Sequence, residues 1–277
     1  MRELDGAALL SLAAGYAGPL FTWRQAFGPA GRRRSLEERR TALARVERRT
    51  AVARVEFASW RRRMIRYALM WSGGKDSALA LWRARQRGLE VDWLVNVYDR
   101  ATGRVRFHAT PIGAIAVQAQ ATGVPLVSVP TDWETFDASL RETFAALVDQ
   151  GCRGIVFGDI HLADVRGWYE ERTHAAGLEH VEPLWGEPPA ALLQEFVAIG
   201  GRAVITCVET AKLDASWLGR VIDPDFVRDV AATGIDPCGE NGEYHSFAYS
   251  GPFFNTAVPW HAGERREDGR FVQLDIR

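Results

Sequence analysis

The stretch Ser72-Gly73-Gly74-Lys75-Asp76-Ser77 gathers more potential chemistry than any other in this 277-residue chain. An apolar run, Tyr67 to Trp71, leads into it, and Ala78-Leu79-Ala80-Leu81-Trp82 opens a helical pattern behind it. The pattern predicts a strand, a tight turn and a helix N-terminus. Unpaired backbone N–H groups at such a turn point outward and, with the helix dipole, favour an anion. Gly73 and Gly74 would let the backbone approach a phosphate without a Cβ in the way. Lys75 adds a point charge, and Ser72 and Ser77 add hydroxyl donors. A Walker loop needs four residues between its first glycine and the Gly-Lys pair, and Met70 and Trp71 occupy that ground, so this is a phosphate loop of another kind.

A second chemical stretch is Gly239-Glu240-Asn241-Gly242-Glu243-Tyr244-His245-Ser246-Phe247, glycine-rich with two carboxylates and an imidazole. Its simplest reading is a glycine turn whose carboxylates serve as caps or face solvent. Glu240, Glu243 and His245 as metal ligands are weakly supported, because the spacing falls on an irregular loop. Arg100, Arg104 and Arg106, after the second predicted strand, would suit an anionic substrate, although ion-paired surface arginines are the commoner case.

These residues need a frame. From Tyr67 the pattern alternates strand and helix, which predicts a parallel sheet covered on both faces. The predicted strands are Tyr67–Trp71, Asp92–Tyr98, Pro125–Val129, Gly154–Phe157 and a short one ending near Pro183-Leu184. The predicted helices are Lys75–Arg87, Pro111–Thr122, Thr135–Gln150 and Asp164–Ala176. Right-handed crossovers place Ser72, Val97 to Arg100, Thr131-Asp132 and Gly158-Asp159 on one sheet edge, where open sheets bind ligands. After Glu187-Pro188-Pro189 a helix (Ala190–Ile199), a strand (Ala203–Val208) and a helix (Pro224–Thr233) follow, and Phe271–Ile276 reads as an edge strand or a tail. The expected organisation is an extension over 1–63, a nucleotide domain over 64–187 and a smaller α+β domain over 188–277.

Composition narrows the class. With 47% hydrophobic residues and ten Trp the chain can bury a substantial core. No apolar stretch is long enough to span a bilayer, and the first residues lack the basic start of a secretory signal, so a cytoplasmic protein with no membrane partner is expected. Cys152, Cys207 and Cys238 form neither a CxxC pair nor a zinc spacing. Residues 1–66 carry 15 Arg and no Lys against 6 acidic residues, a balance of +9 within a net charge of -1. A basic arm therefore precedes an acidic body. Ser35 and Glu38 make a capping box, and Leu43, Val46, Ala53, Phe57, Trp60 and Met64 form a heptad stripe, so a helix to about Arg63 is expected. Packing on the body or on a partner chain is the favoured reading over nucleic-acid binding by the arginines, and the stripe would also suit a homo-oligomer.

The string SGGKDS after a strand resembles the signature of the pyrophosphate-loop ATPases. Val156-Phe157-Gly158-Asp159-Ile160, Glu182-Pro183-Leu184-Trp185, Leu213 to Arg220 (LDASWLGR) and Gly234 to Tyr244 (GIDPCGENGEY) follow in order, and together they resemble the diphthine-ammonia ligase family over Met64 to about Pro259. The resemblance implies a doubly wound, mostly parallel five-stranded sheet with a smaller C-terminal domain. It also implies an AMP-forming ligase that adenylates a carboxylate and uses ammonia as acceptor, a protein substrate being one possibility. ATP and Mg²⁺ would sit at Ser72, Gly73, Gly74, Lys75, Asp76, Ser77, Gly158 and Asp159, with Asp76 and Asp159 toward the metal. Lys75 would act in catalysis, and Glu240, Glu243 and His245 would steer ammonium and take its proton. The chain differs from the ligases of elongation factor 2 at Asn241 and His245-Ser246, where they usually carry a glycine and Glu-Thr. No glutaminase motif is evident, so free ammonium or a partner subunit would supply the ammonia. The competing readings are a tRNA-modifying ATPase of the same superfamily, for which the chain lacks a cysteine pair and a recognisable RNA-binding module, and an adenine-nucleotide sensor without turnover.

Overall fold

The central strand β1 (Arg66–Met70) buries Tyr67, Ala68 and Leu69 in succession, the continuous apolar run expected of a parallel strand covered on both faces. The computed structural model describes residues 65–277 apart from Phe107 and Ala109, so the predicted N-terminal helix, its capping box and its stripe lie outside the described residues. Strand β1 pairs in parallel with β2 (Glu90–Asp99) on one side and β5 (Cys152–Val156) on the other. Strand β4 (Leu126–Thr131) extends the sheet beyond β2, and β6 (Glu179–Val181) extends it beyond β5. The parallel order is thus β4-β2-β1-β5-β6, and chain direction across the sheet reverses at β1. The crevice between the carboxyl ends of β1 and β5 is the topological switch point.

Helices α1 (Lys75–Gln86), α2 (Ile112–Thr122), α3 (Phe136–Asp149) and α4 (Ala163–Ala175) follow β1, β3, β4 and β5. Two cores result. Leu140, Phe144 and Leu147 of α3 pack with Trp93, Val95 and Ile155 on one side of the sheet. On the other, Leu79 and Leu81 of α1 join Ile115 of α2 and the whole C-terminal region. That region contains α5 (Pro189–Ala198), β7 (Arg202–Glu209), α6 (Pro224–Ala231), β8 (Tyr244–Ser250), β9 (Ala262–Asp268) and β10 (Phe271–Ile276). Its four strands form an antiparallel sheet, β8-β7-β10-β9, and the core is continuous from Leu69 to Ile276. All described residues belong to one compact unit, Arg61–Arg277.

Three features depart from the sequence expectation. The first sheet has six strands, because β3 (Arg104–Val105) runs antiparallel along the carboxyl end of β2, pairing Tyr98 with Val105 and Asp99 with Arg104. Two residues are too short to show a period. The run after Gly242 is strand β8 rather than an irregular loop. The segment Phe271–Ile276 is neither edge nor tail but lies between β7 and β9, and its inward face carries Leu274 and Ile276. Strand β9 takes the edge instead, and its Gly-Glu-Arg-Arg-Glu-Asp sequence is the charged kind that resists pairing with another chain.

Candidate active site at the sheet switch point

The phosphate-loop residues sit where β1 ends. Gly73 has φ +82°, and a Cβ there would lie 2.5 Å from Ile115 Cδ1 and from Gln118 Oε1, so both conformation and space demand glycine. Gly74 caps α1, and Gly158 passes so close to α1 that a Cβ would come 3.1 Å from Ser77 N. The loop after β5 is thereby pressed onto the start of α1, which brings Asp159 beside Asp76.

The loop is held by residues far away in sequence. Gln118, fully buried in α2, donates Nε2 to Gly73 O (2.9 Å) and Ala248 O (2.7 Å), and its Oε1 accepts from Trp71 Nε1 (3.0 Å). Strand β8 adds two bonds: Ala248 N–H donates to Gly73 O (2.9 Å) and Ser246 Oγ accepts from Lys75 N–H (3.2 Å). Ser72 Oγ and Ser77 Oγ lie 3.3 Å apart across the turn. The antiparallel sheet thus forms part of the loop's wall.

A cleft of about 660 Å³ opens over this junction. Ser72, Lys75, Asp76, Ser77, Gly158 and Asp159 line it, together with Glu240 and His245 from the C-terminal region. Lys75 is only 3% exposed. Its Nζ lies 2.8 Å from Asp76 Oδ2, donates to Cys238 O and stands 5.0 Å over the Tyr244 ring. Burial works against the charged amine, but Asp76 and the neighbouring acceptors outweigh it, so Lys75 is held more firmly protonated than an ordinary lysine. Asp76 shifts upward through burial, against the opposing pull of Lys75. Burial, with Glu182 adding like charge, lifts Asp159 to about 6. Glu240 accepts from Ile160 N–H (3.0 Å), and burial followed by repulsion from Asp76 raises it to about 7. Three carboxylates that resist ionisation therefore share one wall.

Glu243 stands apart from the other predicted residues. It does not line the cleft. Its Oε1 accepts from Asp236 N–H (3.3 Å) and Asn241 Nδ2 (3.4 Å), which fixes the 236–243 turn. His245 does line it, tilted at 40° against His108 with ring centroids 4.5 Å apart. Burial, then the neighbouring His108 and Lys75, keep His245 far below its usual range. His108 falls to about 4, through burial and then Lys75. Both imidazoles are neutral at physiological pH. The sequence reading missed Gln118 and His108 as site residues. Gln118 looks like an ordinary polar position among small helical residues, and His108 sits on the short excursion after β3.

Mg²⁺ suits this donor set. Asp76 and Asp159 offer hard carboxylate oxygens, and no group of three or more His, Cys, Asp or Glu among the described residues forms a closed metal cage. Two carboxylates without a cage match an ion bound mainly through water and phosphate oxygens. The described residues contain no helix long and apolar enough to cross a membrane.

A doubly wound sheet with an SGGKDS turn at its switch point defines a protein of the pyrophosphate-loop type. The comparisons take this further: residues 65–180 match the diphthamide synthase N-terminal domain, and residues 188–276 match the diphthamide synthase C-terminal domain. The chain is also 25% identical over 219 residues to diphthine–ammonia ligase of Mus musculus, covering 70% of this chain and 82% of that protein. It belongs to the diphthine–ammonia ligase family.

Proposed function

We propose that this protein is an AMP-forming ligase that activates a carboxylate with ATP and joins it to ammonia. The observation that carries the reading is the meeting, in one cleft, of a phosphate loop around a buried, charged Lys75 with a second wall whose Glu240 titrates near neutrality. In the first step a substrate carboxylate oxygen attacks the α-phosphorus and the bond to the β-phosphate oxygen breaks, releasing pyrophosphate. Lys75 and the start of α1 oppose the charge that accumulates on that leaving group. Mg²⁺, held by Asp76 and Asp159, would supply further neutralisation of the phosphates.

In the second step the nitrogen lone pair of ammonia attacks the acyl carbon, the C–O bond to AMP breaks, and a proton leaves the nitrogen. Glu240 suits the last task, because a carboxylate titrating near 7 is a competent base at neutral pH and a competent acid afterwards. Neutral His245 can accept a hydrogen bond from the incoming nitrogen. Glu243 serves this chemistry indirectly, by fixing the turn that presents Glu240. The three cysteines support the ligase over a sulfur-transfer reading: all are buried, and burial pushes their thiols up, away from the reactive thiolate.

The test is release of AMP and pyrophosphate by purified protein given ATP, Mg²⁺ and a panel of carboxylic acids, with and without ammonium. Ammonium-dependent AMP formation with one acid establishes the reading. ATP binding without turnover under every condition overturns it in favour of a nucleotide sensor, and AMP formation only with tRNA overturns it in favour of a tRNA-modifying enzyme.

A further inference from the structure

The sequence offered Arg100, Arg104 and Arg106 for an anionic substrate, and the structure separates them. Arg100 donates to Pro130 O (3.1 Å) and Arg104 to Asp275 (2.8 Å), and neither lines the cleft. Arg106 does. Its side chain is 9% exposed, with the guanidinium 4.6 Å from the Trp133 ring centroid and 5.9 Å from that of Phe136. Aromatic faces hold the plane of the fork and leave its edge donors to find partners. Nε reaches Thr131 Oγ1 at 3.3 Å. Nη2 is buried and has no hydrogen-bond partner. Asp99 Oδ2 pairs with Nη2 as an ion pair at 3.7 Å, beyond hydrogen-bond reach, and Asp99 Oδ1 is engaged by Thr102 N–H and Oγ1, both at 2.9 Å.

Two residues on, the His108 ring marks how near this side lies to the phosphate loop: a Cβ on Gly74 would come 3.1 Å from its Cε1. The one other carboxylate on this side of the cleft, Glu209, is already matched by Lys212 (2.8 Å) and Arg270 (3.3 Å). A buried guanidinium with an unused donor is costly unless something anionic completes it. We propose that Arg106 forms an anion subsite facing the phosphate loop, which holds a second acidic group of the acid whose first carboxylate is activated. The substrate class is therefore a small acid with two anionic groups.

This inference rests on the ligase reading for the word substrate, but its test reads binding and needs no turnover. Calorimetric titration of the full chain with malonate, succinate, glutarate, inorganic phosphate and acetate, at saturating Mg²⁺ and α,β-methylene-ATP, measures the subsite while the loop is occupied. At least one of the dianions is expected to bind, with acetate at least tenfold weaker. R106Q is expected to weaken that dianion at least tenfold, and R106K, which keeps the charge and loses the fork, to fall between. Both variants are expected to bind α,β-methylene-ATP as the wild type does. The subsite is overturned if no dianion binds, if R106Q and R106K leave dianion binding unchanged, or if R106Q weakens the nucleotide analogue tenfold, which would place Arg106 on the nucleotide. Failure of the ligase reading would instead leave dianion binding intact while no acid supports AMP formation.

Discussion

The two walls of the cleft are built from opposite chemistry. On the side of β5 and the 236–243 turn stand Asp159 and Glu240, with Asp76 at the foot of α1, all with carboxyls pushed upward by burial. On the side of β2, β3 and β8 stand Arg106, His108 and His245, donors and neutral imidazoles with no uncompensated carboxylate among them. Lys75 lies between. The first wall suits cations, a metal and an amine that sheds a proton, and the second suits an anion. A ligase that must activate a carboxylate at phosphorus and then bring ammonia to the acyl carbon needs both, kept apart until they react. The difference shows how one cleft can raise acidic groups and depress basic ones: burial acts on both walls, and in each case it disfavours the charged form.

Removing Lys75 should break the comparison most completely. K75A is expected to lower AMP formation about 10²–10³-fold, the scale of losing one preorganised charge at a reacting phosphate, and titration with α,β-methylene-ATP should show weakened binding. Undiminished activity would dismiss the loop as the nucleotide site. Next is E240Q, expected to lower kcat about 10²-fold or more, the usual share of a general base. The wild-type rate should climb as pH rises through about 7, where Glu240 loses its proton, and E240Q should flatten that limb. A limb that survives in E240Q assigns the titration elsewhere.

Gln118 tests whether the walls depend on a common buttress. Q118A strands Trp71 Nε1 and removes a donor from Ala248 O and from Gly73 O, which keeps Ala248 N–H, and should cost on the order of 1–3 kcal/mol for each buried group left without water or a new partner. Thermal melts would read it as a lowered Tm, with nucleotide affinity falling in parallel. The smallest effect concerns stability at the acidic wall. A carboxyl raised from 3.8 to about 6 in the folded chain binds its proton more readily folded than unfolded, so Asp159 detracts from stability as pH rises from about 4 to 6 and throughout the range above. D159N is therefore expected to raise Tm by a few degrees at pH 8 and to leave it unchanged near pH 4, while lowering turnover. A Tm that falls at pH 8 would show that Asp159 gains more from its neighbours than burial takes away.

The acidic wall was far more legible in the sequence than the other. Ser72 to Ser77, Gly158-Asp159 and Glu240 announce themselves through glycines beside charges, and the strands that carry them have the long apolar runs of a doubly buried sheet. The second wall rests on elements without a period. Strand β3 has two residues, and β8 begins inside a glycine-rich motif that masks it. Arg106 could be distinguished from Arg100 and Arg104 only by tertiary contacts. Glu243 has the right residue type and the right neighbourhood, yet it points into its own turn, and a motif does not reveal which of two carboxylates three residues apart faces a cleft. Gln118 could not be read at all, because a fully buried hub and a solvent-facing glutamine look alike in a helical string.

The bonds from β8 to the loop join residues 171 to 175 positions apart: Ser246 to Lys75 and Ala248 to Gly73. During synthesis β1, α1 and the rest of the parallel sheet emerge first, yet their phosphate loop has only the Gln118 contacts to hold it until the last quarter of the chain has been made and folded against it. A nascent or truncated chain ending near residue 187 would carry the whole SGGKDS string without Ser246, Ala248, Glu240 or the carbonyl of Cys238 to set it. The proposed nucleotide site thus reaches its full set of contacts late, only when the C-terminal strands have folded.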